Sequence, residues 1–414
     1  MTSVFNSFNR NSNRTLRAIE ALESFHWTGR IASIVFFLIL TKSLSAADLT
    51  KQDFHYLYDP YSAVGLKHKM TRNNGIYTLY FKLSLKNPIK ANSIFEIKLA
   101  AQSDYKSKNE DILNARLIDQ DSSRRLMLLK YQFEIPEGHN VMYARFLINS
   151  TYYYYDIPVN SGVKFPCSQL VPMTNNGWPF FENYLNEGTL INLDRKAFAF
   201  QYKDQFSTSK PPMAAPGDSR SNVITIDTTF HADSFAAERE RVLTYLQTDS
   251  TSNSGCSVLT VSSYYPKLRR VDDLGKAMIY LCKNSEYQKI QNSADVKKAF
   301  DRFWVGIIPS QDRARAVIKR YFSHITMANE LFSSYKEGWR TDRGMIVTIF
   351  GNPRGVKRTD EEEIWSYVIQ GKKQNFTFAK VPNLFVQHHY VLVRDKDLSK
   401  VWFNEIAKWR KANM

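Results

Sequence analysis

The sequence predicts a multidomain chain. An N-terminal antiparallel β-sandwich of immunoglobulin-like type is followed by a C-terminal α+β domain with helices packed on a small antiparallel sheet. Three observations predict it. Residues 48–165 hold short alternating runs separated by turn signals, with no helical period. Near residue 268 the apolar spacing changes to that of amphipathic helices. The chain also has 414 residues, 43% hydrophobic and 23% charged, which is ordinary globular usage and enough for two or three domains. That usage excludes a wholly disordered, collagen-like or polytopic membrane chain. Aromatics reach 14%, with 23 Tyr and 27 Phe, and this leans towards strands.

Residues 1–47 read as a targeting segment. Arg10, Arg14, Arg17 and Arg30 precede the apolar run Ile31–Leu40 (IASIVFFLIL), and small residues follow at Ser43, Ser45, Ala46 and Ala47. A basic region, an apolar run and a small-residue site form a secretory signal, with cleavage expected after Ala47. The run is shorter than the roughly 20 residues a membrane span needs. A retained N-terminal anchor over residues 31–40 is the alternative, because the basic region is long. The expected location is the periplasm or cell envelope. Cleavage removes five basic and two acidic groups, so the formal charge falls from +16 to +13. Export excludes nucleic acid as a partner and leaves an acidic glycan, an anionic lipid surface or an envelope protein. A merely solvated basic surface is an equal reading.

Within residues 48–165 the expected strands are Ile76–Leu85, Ile94–Ala100, Arg125–Ile135 and Val141–Asn149, with Tyr152–Tyr155 leading into Ile157 and Pro158. Asn74-Gly75, Asn87-Pro88 and Pro136-Glu137-Gly138 supply turns. The Cys…Trp…Cys pattern of true immunoglobulin domains is absent. Residues 166–267 read as a second β-rich region. It holds irregular chain around Pro166-Cys167 and Asn176–Phe181, a hairpin over Gly188–Tyr202, a linker over residues 207–222, and strands at Val223–Ile226 and Ser257–Val261.

Residues 268–414 form the α+β unit. Leu274, Ala277, Met278 and Leu281 mark one helix. Ser293 is expected to cap a second, with Val296, Phe300, Phe303 and Trp304 inward; Asp312 is expected to cap a third, carrying Val317, Ile318, Tyr321, Phe322, Ile325 and Phe332. Met345–Phe350 reads as a buried strand ended by Gly351-Asn352-Pro353. Strands follow at Ile364–Ile369, Phe376–Ala379 and Tyr390–Arg394, with Lys357–Glu363 as a charged loop. A helix over Asp397–Lys411 closes the chain on Val401, Trp402, Ile406 and Trp409.

Signals for chemistry are few. No H-E-x-x-H and no G-x-S-x-G occurs. His388 and His389 are neighbours on a strand, so they face opposite ways, and the spacing turns His324 away from its helix's apolar stripe towards solvent. Asp360, Glu361, Glu362 and Glu363 lack the alternating spacing of a cation loop. Gly351–Gly355 is no phosphate loop. Three cysteines, Cys167, Cys256 and Cys282, allow at most one disulfide, with Cys282 read as a lone thiol. No catalytic residue, cofactor or metal is assigned.

One segment is denser than its surroundings: Gly338, Trp339, Arg340, Thr341, Asp342, Arg343 and Gly344. Gly338 is expected to end the long helix in a left-handed conformation, with Trp339 covering the junction to the next strand. Thr341 and Asp342 suit local backbone bonds, Asp342 and Arg343 suit ion pairs, and Gly344 suits a tight entry. A structural junction outweighs a ligand groove edged by Trp339, Asp342 and Arg343. Two function classes follow: a non-enzymatic interaction or structural module, or an envelope-polymer hydrolase pairing Asp342 with an acid of residues 360–363.

The run Gly338–Pro353 (GWRTDRGMIVTIFGNP) resembles the GWxTD-domain family of exported bacterial proteins, mainly of Bacteroidetes-type organisms. Met278, Tyr280, Leu281, Phe300, Asp301, Phe303, Trp304, Tyr321, Phe322, Ala328, Asn329, Phe332, Trp365 and Tyr367 extend the resemblance over roughly residues 270–370. Tyr56-Leu57-Tyr58 and Gly177–Phe181 are similar to longer members. The resemblance implies export and a β-rich N-terminal region, and no established enzyme activity.

Overall fold

The computed structural model describes residues 47–87, 95–123, 125–148, 150–159, 170–203, 206–214, 225–248, 255–386 and 389–413. Residues 1–46 of the segment read as a signal, with its apolar run, and Cys167 and His388 lie outside them. The described residues fall in one compact unit, and among them no helix is long and apolar enough to cross a membrane.

The first eight strands are Val64–Asn73 (β1), Ile76–Leu85 (β2), Phe95–Gln102 (β3), Asp111–Ile112 (β4), Arg116–Ser122 (β5), Leu126–Phe133 (β6), Val141–Ile148 (β7) and Thr151–Pro158 (β8). They form two antiparallel four-stranded sheets, ordered β1-β2-β6-β5 and β4-β3-β7-β8. Alternation puts Leu79, Phe81 and Leu83 of one sheet in a single core with Leu99, Met142 and Phe146 of the other. Phe81 and Phe146 meet edge-on at 5.6 Å. Asn74 and Gly75, both at positive φ, make the tight β1–β2 turn that their sequence announces. β1, the two-residue β4 and β5 have no counterpart among the expected strands. β1 carries Lys67 and Lys69, which disguise its alternation and bind Glu182 and Asn183. β5 is an edge strand exposed at every residue, so it has no buried face to read.

A middle sheet holds Pro172–Met173 (β9), Tyr184–Asn186 (β10), Leu190–Lys203 (β11), Thr228–Ala236 (β12), Val242–Gln247 (β13) and Gly255–Val261 (β14), ordered β10-β14-β13-β11-β12 with β9 on β11. The hairpin expected over Gly188–Tyr202 is instead one long strand, β11. Its polar Asp194-Arg195-Lys196 fall where the β12 register slips between Asn192 and Ala197, a bulge that reads as a turn in sequence. Half of the strand expected at Val223–Ile226 lies outside the described residues; Ile226 itself is in no strand, and β12 begins at Thr228.

The helices are Val271–Ala277 (α1), Asn284–Gln291 (α2), Val296–Ile307 (α3), Gln311–Phe332 (α4), Asp342–Phe350 (α5) and Leu398–Lys411 (α6), and the last sheet is Gly355–Arg358 (β15), Glu362–Ile369 (β16), Lys372–Val381 (β17) and His389–Leu392 (β18), antiparallel in that order. The apolar stripes point inward as their spacing requires, with Phe300, Trp304, Val317, Tyr321, Ile325 and Phe332 in one core with Trp365, Phe376, Trp402 and Trp409. Two caps differ from expectation. Asp295, two residues nearer the helix than Ser293, accepts from Lys298 N, and Ser310 rather than Asp312 caps α4.

The strand expected at Met345–Phe350 is a helix, α5. Thr341 caps its start, and Gly351, at φ 73°, donates to Val347 O and ends it. Residues Met345 to Ile349 are all buried, so no amphipathic period was present to tell helix from strand. His324 is not a solvent-facing residue: its Nδ1 lies 3.0 Å from Thr348 O and its ring packs edge-on against Trp409. Cys282 is a free thiol. Among the described residues no cluster of metal-ligating side chains occurs.

Phe81 is fully buried between the two N-terminal sheets. Phe81→Ala is expected to lose about 3–5 kcal/mol, because the hole spans both sheets and neither can collapse into it alone. Chemical unfolding of the full chain, read by the denaturant midpoint, checks this.

Candidate functional site

α4 ends at Phe332, with Ser333 as its cap, and the chain re-enters a short 3-10 turn at Gly338–Arg340. Gly338 is therefore no helix terminator, and it is absent from the residues at positive φ. Its small size matters instead. A Cβ there would stand 2.0 Å from the Ala328 carbonyl oxygen, so only glycine lets the turn lie on the α4 backbone. Gly344 meets the same requirement one turn later, 1.9 Å from the Gly338 oxygen. Thr341 fastens the two passes: its hydroxyl donates to Gly338 O at 2.7 Å and accepts from Gly344 N at 3.1 Å.

Trp339 is 3% exposed. Its N–H donates to Asn329 Oδ1 at 3.1 Å, its carbonyl accepts from the Tyr280 hydroxyl at 3.0 Å, and its indole N–H donates to Glu337 at 3.2 Å. Asn329 in turn donates to Pro266 O at 2.9 Å. Asp342 does not pair with Arg343. One of its oxygens accepts from Leu392 N and the other from Arg394 Nη2, both at 2.7 Å, which ties the start of α5 to β18. Arg343, the next residue, points about 100° further round the helix. Its guanidinium lies 3.8 Å from the Tyr390 ring centroid and donates to the Tyr58 hydroxyl at 3.2 Å.

Arg343 thereby reaches a second cluster, centred on Arg358. The Arg358 Nε donates to Glu363 at 2.7 Å, Nη2 to the Tyr58 hydroxyl at 2.6 Å, and Nη1 to Asp156 on β8. Glu363 is 0% exposed and also accepts from Tyr58 and, at 2.7 Å, from Trp365 Nε1. Asp156 accepts from the Tyr105 hydroxyl at 2.6 Å, and Lys380 donates to Thr359 O at 2.6 Å beside the Tyr105 ring. Burial pushes both carboxyls up, but Arg358, with Arg343 at Glu363 and Lys380 at Asp156, outweighs it and holds both below the usual carboxylate range. Burial holds the Lys380 ammonium down at about 8, against the pull of Asp156.

The charged loop expected over Lys357–Glu363 thus contains a buried ion pair. Arg358 and Glu363 face each other across the β15–β16 ladder, and only the turn between them is loop. A signal for this was present. Glu363, Trp365 and Tyr367 alternate on one face of a strand, so the acid belongs with two buried aromatics. Nothing in the local sequence marks Tyr58, Tyr105, Asp156 or Arg394 as partners, because each lies far along the chain.

A hydrolytic carboxylate pair is a poor match to this geometry. Glu363 is held ionised by two arginines rather than raised as a general acid, and Asp342 is spent on Arg394 and a backbone N–H. Asp360 faces the Tyr105 N–H at 3.3 Å.

A helix layer clamped to an antiparallel sheet through one glycine-rich turn defines a class of domain built around that turn. Residues 243–411 match the family model of the GWxTD domain, so this part of the chain is a GWxTD domain. The match begins in β13 and so takes in the last two strands of the middle sheet. No curated protein and no solved structure matches the chain.

Trp339→Ala is expected to lose about 3–5 kcal/mol and Gly338→Ala at least about 1–3 kcal/mol, the latter because a carbonyl of a rigid helix cannot give way. Thermal unfolding of the full chain reads both; a Trp339→Ala chain melting with the parent would contradict the burial seen here. Glu363→Gln should lose about 3–5 kcal/mol, since Arg358 and Arg343 are left short of a buried charge. The folded pKa values of Glu363 and Asp156 lie below those of the unfolded chain, so their contribution is complete above the ordinary carboxylate range and is lost as pH falls through the lowered values. The Glu363→Gln chain should therefore show a shallower loss of melting temperature on acidification than the parent.

Proposed function

We propose that this is an exported protein of the cell envelope whose GWxTD domain acts as a non-enzymatic interaction or structural module. In this reading the two N-terminal sheets form an immunoglobulin-like sandwich that carries an α+β domain over residues 268–414. The observation that carries the reading is the internal use of the motif: Trp339, Thr341, Asp342 and Arg343 spend their bonding groups on the chain itself. Such a motif fixes a shape and leaves recognition to the surface around it. Export is supported by the basic, apolar and small-residue order of residues 1–47, and an acidic glycan or envelope protein suits the remaining positive charge. The hydrolase alternative, with Asp342 and an acid of residues 360–363, has weaker support, because both buried carboxylates are neutralised by arginines.

Fractionation of the producing cell, followed by mass measurement of the protein's N-terminal peptide, tests the reading. A mature start at Asp48 in the periplasmic or envelope fraction, with a protein or glycan retained through purification, is expected. A cytoplasmic chain that still begins at Met1, or a free monomer that retains nothing, would overturn it.

A further inference from the structure

Residues 206–214 (FSTSKPPMA) begin the stretch that reads in sequence as a linker with little to bury. They are instead strapped across the outer side of the motif turn. Lys336 Nζ donates to Ser207 O at 2.8 Å, Arg394 Nη2 to Lys210 O at 3.1 Å, and the Arg340 guanidinium to Phe206 O. Ser209 N and its hydroxyl both donate to Arg340 O at 3.0 Å, and Asp395 N donates to Pro212 O at 3.1 Å. The Phe206 ring lies edge-on to Tyr335 at 4.7 Å and to Phe385 at 5.8 Å, Pro212 is buried, and Met213 packs on the main core.

Three features make this a ligand-like arrangement. First, two of the cations that hold the strap are also held by the domain itself: Arg394 pairs with Asp342 at 2.7 Å and Arg340 lies 3.9 Å from Glu337. Second, they donate to main-chain carbonyls, which any polypeptide supplies, so selectivity falls to the ring slot at Phe206 and the seat of Pro212. Third, the strap belongs to no helix and no strand, so its departure would break no sheet. Arg340 sits at the position that the motif's name leaves open, with its side chain on the strap while its neighbours face inward.

We propose that this face of the GWxTD domain is a peptide-binding groove, that residues 206–214 occupy it in cis, and that a peptide segment of another protein, with an aromatic residue followed by a Pro-Pro pair, replaces them. The strap is covalently attached, so it competes at an effective concentration in the millimolar range, and a free peptide is at a disadvantage until the strap is removed. The proposal deepens the interaction-module reading by naming the partner's chemistry.

The test uses the full chain with residues 206–214 replaced by a Gly/Ser segment of equal length, and a fluorescein-labelled synthetic peptide FSTSKPPMA followed by anisotropy. Saturable binding is expected, at least about tenfold tighter than to the parent chain, with loss of binding when the peptide's Phe is changed to Ala. A second variant, Phe206→Ala in the otherwise intact chain, should admit the labelled peptide several-fold better than the parent. A replaced chain that melts like the parent and binds no peptide would overturn the proposal. So would a replaced chain that no longer folds, since the strap would then be part of the core, or a Phe206→Ala chain no more receptive than the parent. Parent chains found by light scattering as strap-exchanged dimers would make the occupant a second copy and overturn the choice of a foreign peptide. Retention of an envelope partner by a chain whose groove binds no peptide would sink this inference and leave the interaction-module reading standing.

Discussion

The packing of the chain depends on what surrounds the Arg358 guanidinium. An arginine 8% exposed is tolerable only if its donors are met and its charge is balanced nearby. Glu363 and Asp156 supply the charge and Tyr58 a further oxygen. These partners come from three separate places: the neighbouring strand, the last strand of the N-terminal sheets, and a short 3-10 turn at residues 55–58. The ion cluster therefore joins regions that apolar packing alone would leave free to slide. Asp53 and Phe54 reinforce it on the β15 edge, where Val356 N donates to Asp53 at 2.8 Å and Phe54 N donates to Val356 O at 2.9 Å. That contact also covers a strand edge that would otherwise be open.

The motif turn connects to this cluster through the first turn of α5. Asp342 and Arg343 are adjacent in sequence and both engage β18, one through Leu392 N and Arg394, the other through the Tyr390 ring on its way to Glu363 and Tyr58. A shift of α5 would disturb both. The two glycines matter for the same reason. Each brings backbone against backbone at a distance that no side chain permits, which fixes the height of α5 over α4. The motif is thus a set of close contacts that sets the domain's internal geometry, and Arg340 is its outward-facing member.

That division of labour explains how a motif can be specific in sequence while most of its groups face inward. Its hydrogen bonds end within the fold: on Asn329, Tyr280, Leu392 and Arg394. At the rim, Lys336, Arg340 and Arg394 direct donors at the carbonyls of residues 206–214. A stretch with few apolar residues can be ordered when its main chain, rather than its side chains, is what is bound.

The sequence by itself determined the strands with clear alternation, such as β16 and much of β2, and the helices with clear apolar stripes, α3, α4 and α6. In each, local period and burial agree, so a window of ten or so residues carries the answer. It also determined that the GWxTD segment is the densest of the chain. It could not decide α5, since a run buried on every side has no period. Tertiary structure alone decided that bulged β11 is one strand, because a bulge and a turn use the same polar residues. Only the folded chain brings Arg358 to Asp156, Arg394 to Asp342, and residues 206–214 to the motif. These pairings join residues tens to hundreds of positions apart, and charge balance in a low-dielectric interior acts through distance in space, which the order of residues does not record.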